Sequence, residues 1–539
     1  MSIDMKKLDH SNETDDYLDA ILMRAKVPLE PVSFKVNWDD APLHHKVYRN
    51  VARRSLRTPL TDLPDTPFHE LVAAMHQNPV LKGATEQLLT DLLIVYGHLD
   101  RRVEMNWNED TFRKLQPDQA LWGRPTPSGG GMYPLEIYHL AGEGSRWPIG
   151  TSHYDSVAHS LDVLDNVDRT GAVAAATGKS SASYLVVTCR FWMNAFKYNS
   201  FCYHVVTQDL GCLLASWRVV AAAHGWALEP ILHFDNLSLC GQLGIDGRHE
   251  APFLVLCLEP IDDAPPPPPA RGVGQLGDEL GHRVFEASHR TWTFPRVDKI
   301  HAACFQTDRE RPVIHDVEVR RGQSGPRISL PPAKTSHPIG PTLRKRRSAF
   351  GAISRSAGVS LEQLAVSLRC VSQTALEPTD YAPRGRERWV GQWIIAQGIR
   401  GLEDGTYCYL DDSDELVRMG EGQLKDLQRF YPLKNYSLGE VSVVHVMTTR
   451  LAPIRDQAGR RALRATNLEV GQAGQMMYLA AAATGFAAGA VLGLDNLEID
   501  QFLGISDSDE QSLLCHLLGA ARPGQSNFLI PFYDSKVTS

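Results

Sequence analysis

Two stretches of the chain share one pattern of apolar and polar positions. Residues 221–245 and 481–505 each begin in an Ala-rich segment with apolar side chains at three- and four-residue spacing, which predicts a helix. Gly225 and Gly485 then break the pattern, as glycine does at a helix C-terminus. A short apolar strand follows, and an Asp-Asn pair suits a turn or a helix N-cap. A second short helix ends in Leu-Gly-Ile in both copies.

The two stretches align without a gap, and 12 of the 25 positions are identical. Gly211 falls opposite Gly471, Arg53-Arg54-Ser55 recurs as Arg346-Arg347-Ser348, and GTSHYDSVAHSL at 150 resembles GTYCYLDDSDEL at 405. Chance similarity between two Ala-rich helices is the alternative. Because Asp-Asn-Leu and Leu-Gly-Ile recur in register, the pattern favours duplication of one α+β domain.

Packing of two such copies would make a pseudo-two-fold dimer within one chain, with ligand sites at the interface and freedom for one of them to decay.

The region 260–340 is rich in Pro and Gly and opens with the pentaproline Pro265–Pro269, so it predicts a connector with a short element near Val297–Cys304. Gly272–Gly277 matches G-x-G-x-x-G, but prolines precede it, which favours a linker. The predicted division is an N-terminal extension 1–45, domain 1 at 46–260, the connector 261–340 and domain 2 at 341–539.

Composition narrows the classes of function. Of 539 residues 43% are hydrophobic and 22% charged, and the net charge of −8 disfavours nucleic acid as a partner. We expect a cytoplasmic protein, because no apolar run approaches about 18 residues and the polar N-terminus lacks a signal-peptide core. The nine cysteines include no C-x-x-C pair and are expected to be buried free thiols. Without H-E-x-x-H or G-x-S-x-G, no metal site and no hydrolase is predicted.

Three segments carry candidate chemistry. Arg124 to Tyr138 reads RPTPSGGGMYPLEIY, and its three glycines predict a loop whose backbone approaches a ligand, with a plain hairpin as the alternative. Lys197-Tyr198 could transfer protons, although a surface Lys beside a core Tyr is the simpler interpretation. The Arg-Arg-Ser segments suit phosphate at a helix start, and a solvated helix start explains either copy equally well.

The RPTPSGGGMYPLEIY segment resembles the signature loop of the SagB-type flavin dehydrogenases, a branch of the nitroreductase superfamily. These enzymes are azoline oxidases that convert thiazolines or oxazolines to thiazoles or oxazoles in ribosomal peptide biosynthesis. Lys197-Tyr198 is similar to their catalytic Lys-Tyr pair, and 208–245 to their C-terminal helix and strand. The resemblance covers most of 45–260 and, more faintly, 340–525. It implies an α+β fold of two fused nitroreductase-like domains, each with a mainly antiparallel sheet, that form an intramolecular pseudo-dimer with FMN at the interface.

The resemblance also assigns residues to a first site, where Lys197 and Tyr198 are catalytic. The cofactor-binding residues that it implies are Ser128, Gly129, Gly130, Arg346, Ser348, Ala488, Gly489 and Arg522. A second site would use Arg53, Ser55 and Arg57, but its strand carries Glu229 where the first strand has Gly489, and its opposing half has no Pro-Ser-Gly-Gly loop. One FMN, at the first site, is therefore expected. Phe350 departs from the family, which usually has a basic residue there.

The implied reaction removes two electrons and two protons from a ring. Lys197 or Tyr198 would take the proton from carbon, hydride would pass to the flavin, and dioxygen would reoxidise it. The substrate would be a peptide already cyclised by a cyclodehydratase-type partner. An NAD(P)H-dependent nitro or quinone reductase and a flavin-free scaffold subunit are the alternatives. The sequence leaves open the substrate, the ring heteroatom, the electron acceptor and further dimerisation of the fused chain.

Overall fold

The architecture comes from a computed structural model. It describes residues 11–57, 60, 63–97, 102–104, 121–261, 284–306, 311–315, 317, 324–349, 353–356, 358–374, 377–382, 389–431, 433, 436–521 and 527–529.

The N-terminal half contains seven helices and nine strands among these residues. They are α1 (Ser11–Leu22), β1 (Val47–Tyr48), β2 (Ala52–Ser55), α2 (Phe68–Ala74), α3 (Glu86–Gly97), β3 (Arg102–Glu104), β4 (Leu121–Gly123), β5 (Leu135–Ala141), β6 (Gly150–Asp155), β7 (Ser160–Val163), α4 (Thr170–Thr177), β8 (Ser183–Arg190), α5 (Phe191–Tyr198), α6 (Cys202–Ala223), α7 (Asn236–Leu243) and β9 (Glu250–Cys257).

The remaining described elements lie in the connecting region and the C-terminal half. They are β10 (Val284–Phe285), α8 (Pro295–Phe305), β11 (Arg327–Ser329), α9 (Ile339–Lys345), β12 (Ile353–Ser354), α10 (Leu361–Gln373), β13 (Gly391–Ala396), β14 (Gly405–Leu410), β15 (Glu415–Gly420), α11 (Leu424–Leu427), β16 (Val443–Arg450), α12 (Leu451–Ala458), α13 (Ala462–Thr484), β17 (Ala487–Val491), α14 (Asn496–Leu503), β18 (Glu510–Ala521) and β19 (Asn527–Leu529).

Each half is built on one antiparallel sheet. The N-terminal sheet has the strand order β2-β7-β6-β5-β8-β9, and the C-terminal sheet has the order β11-β15-β14-β13-β16-β18-β12, with β17 also paired to β18. Strands β5 and β13 are buried along their whole length. Both contain buried polar side chains among their apolar residues, namely Glu136 and His139 in β5 and Gln392 in β13. The predicted α+β class with mainly antiparallel sheets is confirmed.

The duplication is visible as a constant spacing of equivalent elements. From β8 to the end of β9, each strand and helix recurs 260 residues later, so that β8, α5, α6, α7 and β9 correspond to β16, α12, α13, α14 and β18. Asp235 and Asp495 cap α7 and α14 through their side chains, and Gly244 and Gly504 end these helices in the left-handed region. The predicted Asp-Asn caps and Leu-Gly-Ile ends are therefore confirmed.

The two halves meet where α6 crosses α13. A Cβ added to Gly211 would overlap the carbonyl oxygen of Leu468, and one added to Gly471 would overlap the carbonyl oxygen of Gln208. Only glycine allows the two backbones to approach this closely. The pairing of Gly211 with Gly471 seen in the repeat is thus a direct contact between the copies.

Both ends of the chain also join the halves. Strand β19 pairs with β3 of the N-terminal half, which pairs in turn with β4. Near the N-terminus, the Tyr17 hydroxyl donates to the Ser200 carbonyl (2.8 Å), and the Arg24 guanidinium donates to the Leu494 carbonyl (3.0 Å). The segment that contains α1 therefore contacts both copies.

One landmark of the repeat was interpreted wrongly. Arg53-Arg54-Ser55 lies in the edge strand β2, which pairs with β7, whereas β11 holds the equivalent place beside β15. Arg346 instead follows the last residue of α9, a helix whose N-terminal counterpart is α2, so Met75 occupies the equivalent position. Arg346 is therefore at a helix C-terminus and not at a helix start, so an anion bound there would be held by the guanidinium groups without help from the helix dipole. Three matching letters are too few to fix a register.

Other sequence expectations can be compared directly. Helix α8 contains the element predicted near Val297–Cys304. All nine cysteines are free thiols, and seven of them are buried, as expected. The helical run Phe191–Ala223 is long and apolar enough to cross a membrane, but 94% of the relevant window is buried inside the protein, which is typical of a core helix. Residues 272–277, with the G-x-G-x-x-G match, lie outside the described residues.

Candidate functional site

A cavity between the two halves gathers most of the residues singled out in the sequence. The N-terminal half contributes the loop after β4, the end of α5 and one face of α6, and the C-terminal half contributes the end of α9, α13 and the strands β17 and β18. Seven of the ten predicted site residues line it, namely Ser128, Gly129, Gly130, Lys197, Tyr198, Arg346 and Ser348.

The Ser-Gly-Gly loop is fixed to α6 by Asp209. The Ser128 hydroxyl donates to Asp209 Oδ2 (2.6 Å) and accepts from the Tyr133 amide (3.0 Å), and the Gly129 amide donates to Asp209 Oδ1 (2.8 Å). Burial raises the pKa of Asp209 to about 7, although both hydrogen bonds act in the opposite direction. The Ser128 side chain therefore holds the loop in shape.

Two of the three loop glycines are required by packing. A Cβ on Gly129 would overlap Val205 Cγ1, and one on Gly130, whose φ is +66°, would lie 2.7 Å from Tyr198 Cε2 and 2.8 Å from Lys197 Cδ. Gly131 differs, because nothing lies within 4 Å of its Cβ position. Gly129 and Gly130 thus let the loop pack against α5 and α6, and Gly131 leaves bare backbone facing the cavity.

Lys197 and Tyr198 lie at the last turn of α5, against this loop. Lys197 Nζ donates to the Gly130 carbonyl (3.3 Å), and burial lowers the pKa of Lys197 below its ordinary value. Burial raises the pKa of Tyr198, and the nearby Asp209 carboxylate acts in the same direction. Lys197 is thus the group that loses its proton more easily than usual, while Tyr198 stays a hydroxyl donor.

The residue that follows this pair has an unusual backbone. Asn199 has φ 45° and ψ −133°, a conformation that favours glycine, and the equivalent position in the other half is Gly459, with φ 53° and ψ −133°. The Asn199 side chain accepts from the Phe201 amide (3.2 Å). Strained backbone at a non-glycine residue is common beside functional groups.

The C-terminal half contributes cationic and aromatic side chains. Arg346 is buried, donates to the Arg124 carbonyl (3.3 Å) and lies 5.5 Å from the centre of the Tyr478 ring. The Ser348 hydroxyl is 3.0 Å from the Tyr478 hydroxyl, which accepts from the Ala490 amide (2.6 Å). Arg124 and Arg344 also line the cavity, where Asp209 is the single carboxylate among the described lining residues. The charge balance favours an anionic ligand.

Two predicted cofactor-binding residues are not brought to this lining, and a third has no described position. Ala488 borders a separate cavity with Arg347 and Phe486. Gly489 lies against Tyr436, whose ring is 3.9 Å from the Gly489 Cβ position, and it is Ala490 of the same strand that reaches the cavity between the halves. Arg522 lies outside the described residues, as does Phe350.

Sequence reasoning missed several lining residues, notably Asp209, Tyr436, Tyr478 and His516. Isolated polar or aromatic residues within apolar helices and strands carry no motif. The repeat did contain a usable signal, because a comparison at 260-residue spacing sets Tyr478 against Arg218 and His516 against Leu256. Such changes in a buried, duplicated frame mark positions where the two halves have diverged.

The equivalent crevice on the other side of the pseudo-two-fold is filled by side chains. Arg218 Nη1 donates to Gln472 Oε1 (2.5 Å), and Arg461 Nη1 donates to the Leu232 carbonyl (3.1 Å) and to the Tyr381 hydroxyl (3.1 Å). Arg218, Arg461 and Tyr381 are all almost completely buried.

Further side-chain differences between the halves also reduce the space in this second crevice. Leu214 stands where the first crevice has Gly474, and Pro230 where it has Ala490. Gln457 and Ala458 take the places of Lys197 and Tyr198 at the end of the equivalent helix. Arg53, the proposed second-site cation, pairs with Asp162 (3.0 Å) and Asp155 (3.5 Å) on the sheet edge.

The fold and the shared cavity define a class of protein, two fused α+β domains with a ligand-sized space at their interface. Residues 394–520 match the nitroreductase family, so the C-terminal half contains a nitroreductase-family domain. A protein from Anabaena variabilis whose crystal structure is described as that of a nitroreductase superposes with a TM-score of 0.67, at 20% identity, over 95% of this chain and 99% of that chain. The whole chain therefore has a nitroreductase-like fold.

Two further relatives come from Escherichia coli. The microcin B17-processing protein McbC is 24% identical over 157 residues, which is 27% of this chain and 58% of McbC, so the chain spans 58% of the length of this curated relative. A chain of the microcin synthetase McbBCD complex, solved with truncated pro-MccB17 bound, aligns over 48% of this chain and 82% of that chain at 16% identity. Its TM-score of 0.26 is too low to support an argument.

Proposed function

We propose that this protein is an FMN-dependent dehydrogenase that oxidises azoline rings to azoles in the biosynthesis of a ribosomal peptide product, as the SagB-type resemblance implies. The observation that carries the proposal is the cavity itself. It combines Lys197 and Tyr198 at one wall with Arg346 and Ser348 from the other half. The similarity to McbC, which is described as processing microcin B17, supports the peptide assignment.

The residues present fit FMN. Arg124, Arg344 and Arg346 would hold the phosphate, because guanidinium groups suit phosphate oxygens and the lining carries few acidic groups. Tyr478 offers an aromatic edge, and the bare backbone at Gly131 lets a flat ring approach closely. When bound, FMN supplies the two-electron acceptor that takes one ring hydrogen as hydride.

The protein's own part is to orient the ring and to accept the proton. Lys197 Nζ takes the proton from the ring carbon, and burial favours this because it lowers the pKa of Lys197. Tyr198 keeps its proton and donates a hydrogen bond to the substrate. Asp209 holds the Ser128–Gly130 loop, against which both side chains pack, and so fixes their direction.

We propose one FMN per chain. In the second crevice Arg218, Arg461 and Tyr381 occupy the space with side chains that are hydrogen-bonded to each other or to backbone. A ligand there would have to displace buried guanidinium groups, which is costly because they would lose their partners. Two further parts of the proposal are a partner enzyme that cyclises the peptide before oxidation and dioxygen as the final electron acceptor.

The first test is the visible spectrum of the purified chain and the amount of FMN that it releases. We expect one FMN per chain, lost in Arg346→Ala and kept in Arg53→Ala, which removes an arginine from the second site. Two FMN per chain would contradict the single-site proposal. A colourless protein that does not bind added FMN would favour a scaffold role.

The second test is turnover of a thiazoline-containing peptide in air, followed by mass spectrometry. The expected product has lost two hydrogens and absorbs as a thiazole. A flavin that is bleached by NADPH and that reduces quinones, with no azole formed, would favour the reductase alternative and contradict the proposed reaction.

A further inference from the structure

Three buried polar side chains distinguish the C-terminal sheet from its N-terminal copy. Gln392, His445 and His516 lie on the neighbouring strands β13, β16 and β18, with His445 directly opposite His516 in the strand register. His445 Nε2 contacts Gln392 Oε1 (3.1 Å), and Gln392 Nε2 donates to the Ser372 hydroxyl (2.8 Å).

The equivalent positions in the N-terminal sheet are all apolar. His445 and His516 correspond to Leu185 and Leu256 at the 260-residue spacing, and Gln392 corresponds through the strand register to Ile137. All three apolar side chains are buried. Because the same sheet packs well with leucine and isoleucine, packing does not require the polar residues, and burying them without partners is unfavourable.

His516 is the member of this group that lines the cavity between the halves. It is completely buried, no side chain of the described residues hydrogen-bonds to its ring nitrogens, and a hydrogen bond to the Gly474 backbone opposes the effect of burial on its pKa. Its ring stands edge-on to Tyr478 at 5.0 Å between centroids. Burial lowers the pKa of His516 to about 3, so the imidazole is neutral, and with its N–H bonded to the Gly474 backbone the other ring nitrogen remains as an acceptor.

The packing in front of His516 also differs between the halves. A Cβ at Gly474 would lie 3.3 Å from His516 Cε1 and 2.8 Å from Leu514 Cδ2, so glycine lets α13 pack closely on these side chains, whereas Leu214 stands at this position in the other half. The C-terminal half therefore has a hydrogen-bonding side chain where its copy has Leu256, held against a helix position without a side chain. The polar residue at the cavity wall favours a polar ligand there.

We propose that His516 is a binding residue for the cavity's ligand, and that its neutral imidazole makes a hydrogen bond to a polar group of that ligand. The inference rests on the proposed function, in which the ligand is FMN. His445 lies on the neighbouring strand, hydrogen-bonded to Gln392, and is not one of the residues that line the cavity.

The test is FMN binding to the full-length apoprotein, measured by quenching of flavin fluorescence, with the thermal midpoint of the apoprotein as a second readout. His516→Leu reproduces the residue of the other half. We expect it to raise the Kd for FMN by about tenfold or more, since a tenfold change corresponds to about 1.4 kcal/mol, and to leave the thermal midpoint equal or higher.

Two variants serve as controls. His445→Leu makes the same substitution one strand away, outside the cavity lining, and is expected to change the Kd by about twofold at most, well under 1.4 kcal/mol. His516→Gln keeps a hydrogen-bonding group and is expected to bind FMN more tightly than His516→Leu, which also covers the case in which the leucine variant does not fold.

The outcomes separate this inference from the function on which it rests. Wild-type protein that binds no FMN would overturn both. Wild-type protein that binds FMN, with a His516→Leu protein that binds it equally well, would overturn only the role of His516. An equal loss of affinity in His445→Leu would show a general effect on the sheet and would also overturn it.

Discussion

The two interface crevices of this chain are formed by equivalent helices and strands, but different side chains line them. Around the first crevice, Lys197, Tyr198, Gly474, Tyr478 and His516 border an open cavity. Around the second, Gln457, Ala458, Leu214, Arg218 and Leu256 take the same positions, and buried arginines fill the space. The α6–α13 crossing through Gly211 and Gly471 has been kept on both sides. The arrangement of helices and strands is therefore still symmetric, while one crevice is open and the other is filled by packed side chains.

The largest expected effect tests the chemical difference between the crevices. Lys197→Gln introduces the residue found at the equivalent position, Gln457. We expect azoline oxidation to fall by about 10³-fold, because a positioned acid or base contributes about 10² to 10⁴ in rate, while FMN content stays at the wild-type value. Turnover and released flavin are measured on the same preparation.

Tyr198→Phe provides the matched variant for that experiment, since it removes only a hydroxyl that the proposal treats as a donor. It should reduce the rate less than Lys197→Gln. A Lys197→Gln protein with full turnover would remove the chemical distinction between the two crevices.

The next effect tests the part of the molecule that remains symmetric. Gly211→Ala and Gly471→Ala each place a Cβ against the backbone of the opposing helix. We expect each to lower the free energy of unfolding by about 3 kcal/mol, since overpacking against rigid backbone has no easy relief. Urea denaturation checks the size of the effect and its equality in the two variants.

Gly171→Ala is the control for helix propensity, because Gly171 lies in α4 with open space at its Cβ position. This variant should be neutral or more stable by about 0.5–1 kcal/mol. Very unequal effects of the Gly211 and Gly471 variants would argue against a symmetric crossing.

A smaller effect depends on pH and on the buried carboxylate that holds the loop. The folded-state pKa of Asp209 is raised from 3.8 to about 7. An acid with a raised pKa binds more protons in the folded than in the unfolded state, so its contribution to stability declines as pH rises through this window. Relative to Asp209→Asn, the wild-type free energy of unfolding should fall by on the order of 2 kcal/mol between about pH 4 and about pH 8.

Urea denaturation of both proteins at a series of pH values gives that difference. Asp500, whose pKa is also raised to about 7, and Asp380, raised to about 6, titrate in both proteins and cancel in the subtraction. A difference that does not vary with pH would mean that Asp209 is not held as a buried acid.

The smallest effect concerns the backbone residue that follows α5, the helix that ends in Lys197-Tyr198, and the residue that follows its copy α12. Asn199 and Gly459 share one glycine-type conformation. We expect Asn199→Gly to raise the free energy of unfolding by about 1 kcal/mol, because relief of strain exceeds the entropy that glycine adds to the unfolded chain. Thermal denaturation measures it, and Gly459→Asn should shift the midpoint in the opposite direction. A less stable Asn199→Gly protein together with a more stable Gly459→Asn protein would show that the Asn199 backbone is not strained.

Part of the site could be predicted from the sequence because it rests on local signals. The run of glycines after Pro127-Ser128 and the pair Lys197-Tyr198 are contiguous, and the structure brings both to one cavity. The repeat assignment was wrong where it relied on a short match, since Arg53-Arg54-Ser55 and Arg346-Arg347-Ser348 are not equivalent in the fold, although Arg346 and Ser348 do line the cavity. The sequence also predicted Ala488 and Gly489 as cofactor-binding residues, although Ala490 and Leu492 are the residues of that segment that reach the cavity.

The sequence by itself determined the α+β class and the duplication, because helix spacing, Asp caps and glycine ends are local and recur in register. It also marked Gly211 and Gly471 as partners. Only the tertiary structure decided which crevice is open, because that depends on which side chains from distant segments meet. Asp209 against Ser128, Arg218 against Gln472, and His516 behind Gly474 are each separated from their partners by tens or hundreds of residues. No local sequence pattern predicts these contacts, because they depend on how α6 packs on α13 and how each sheet packs against these helices.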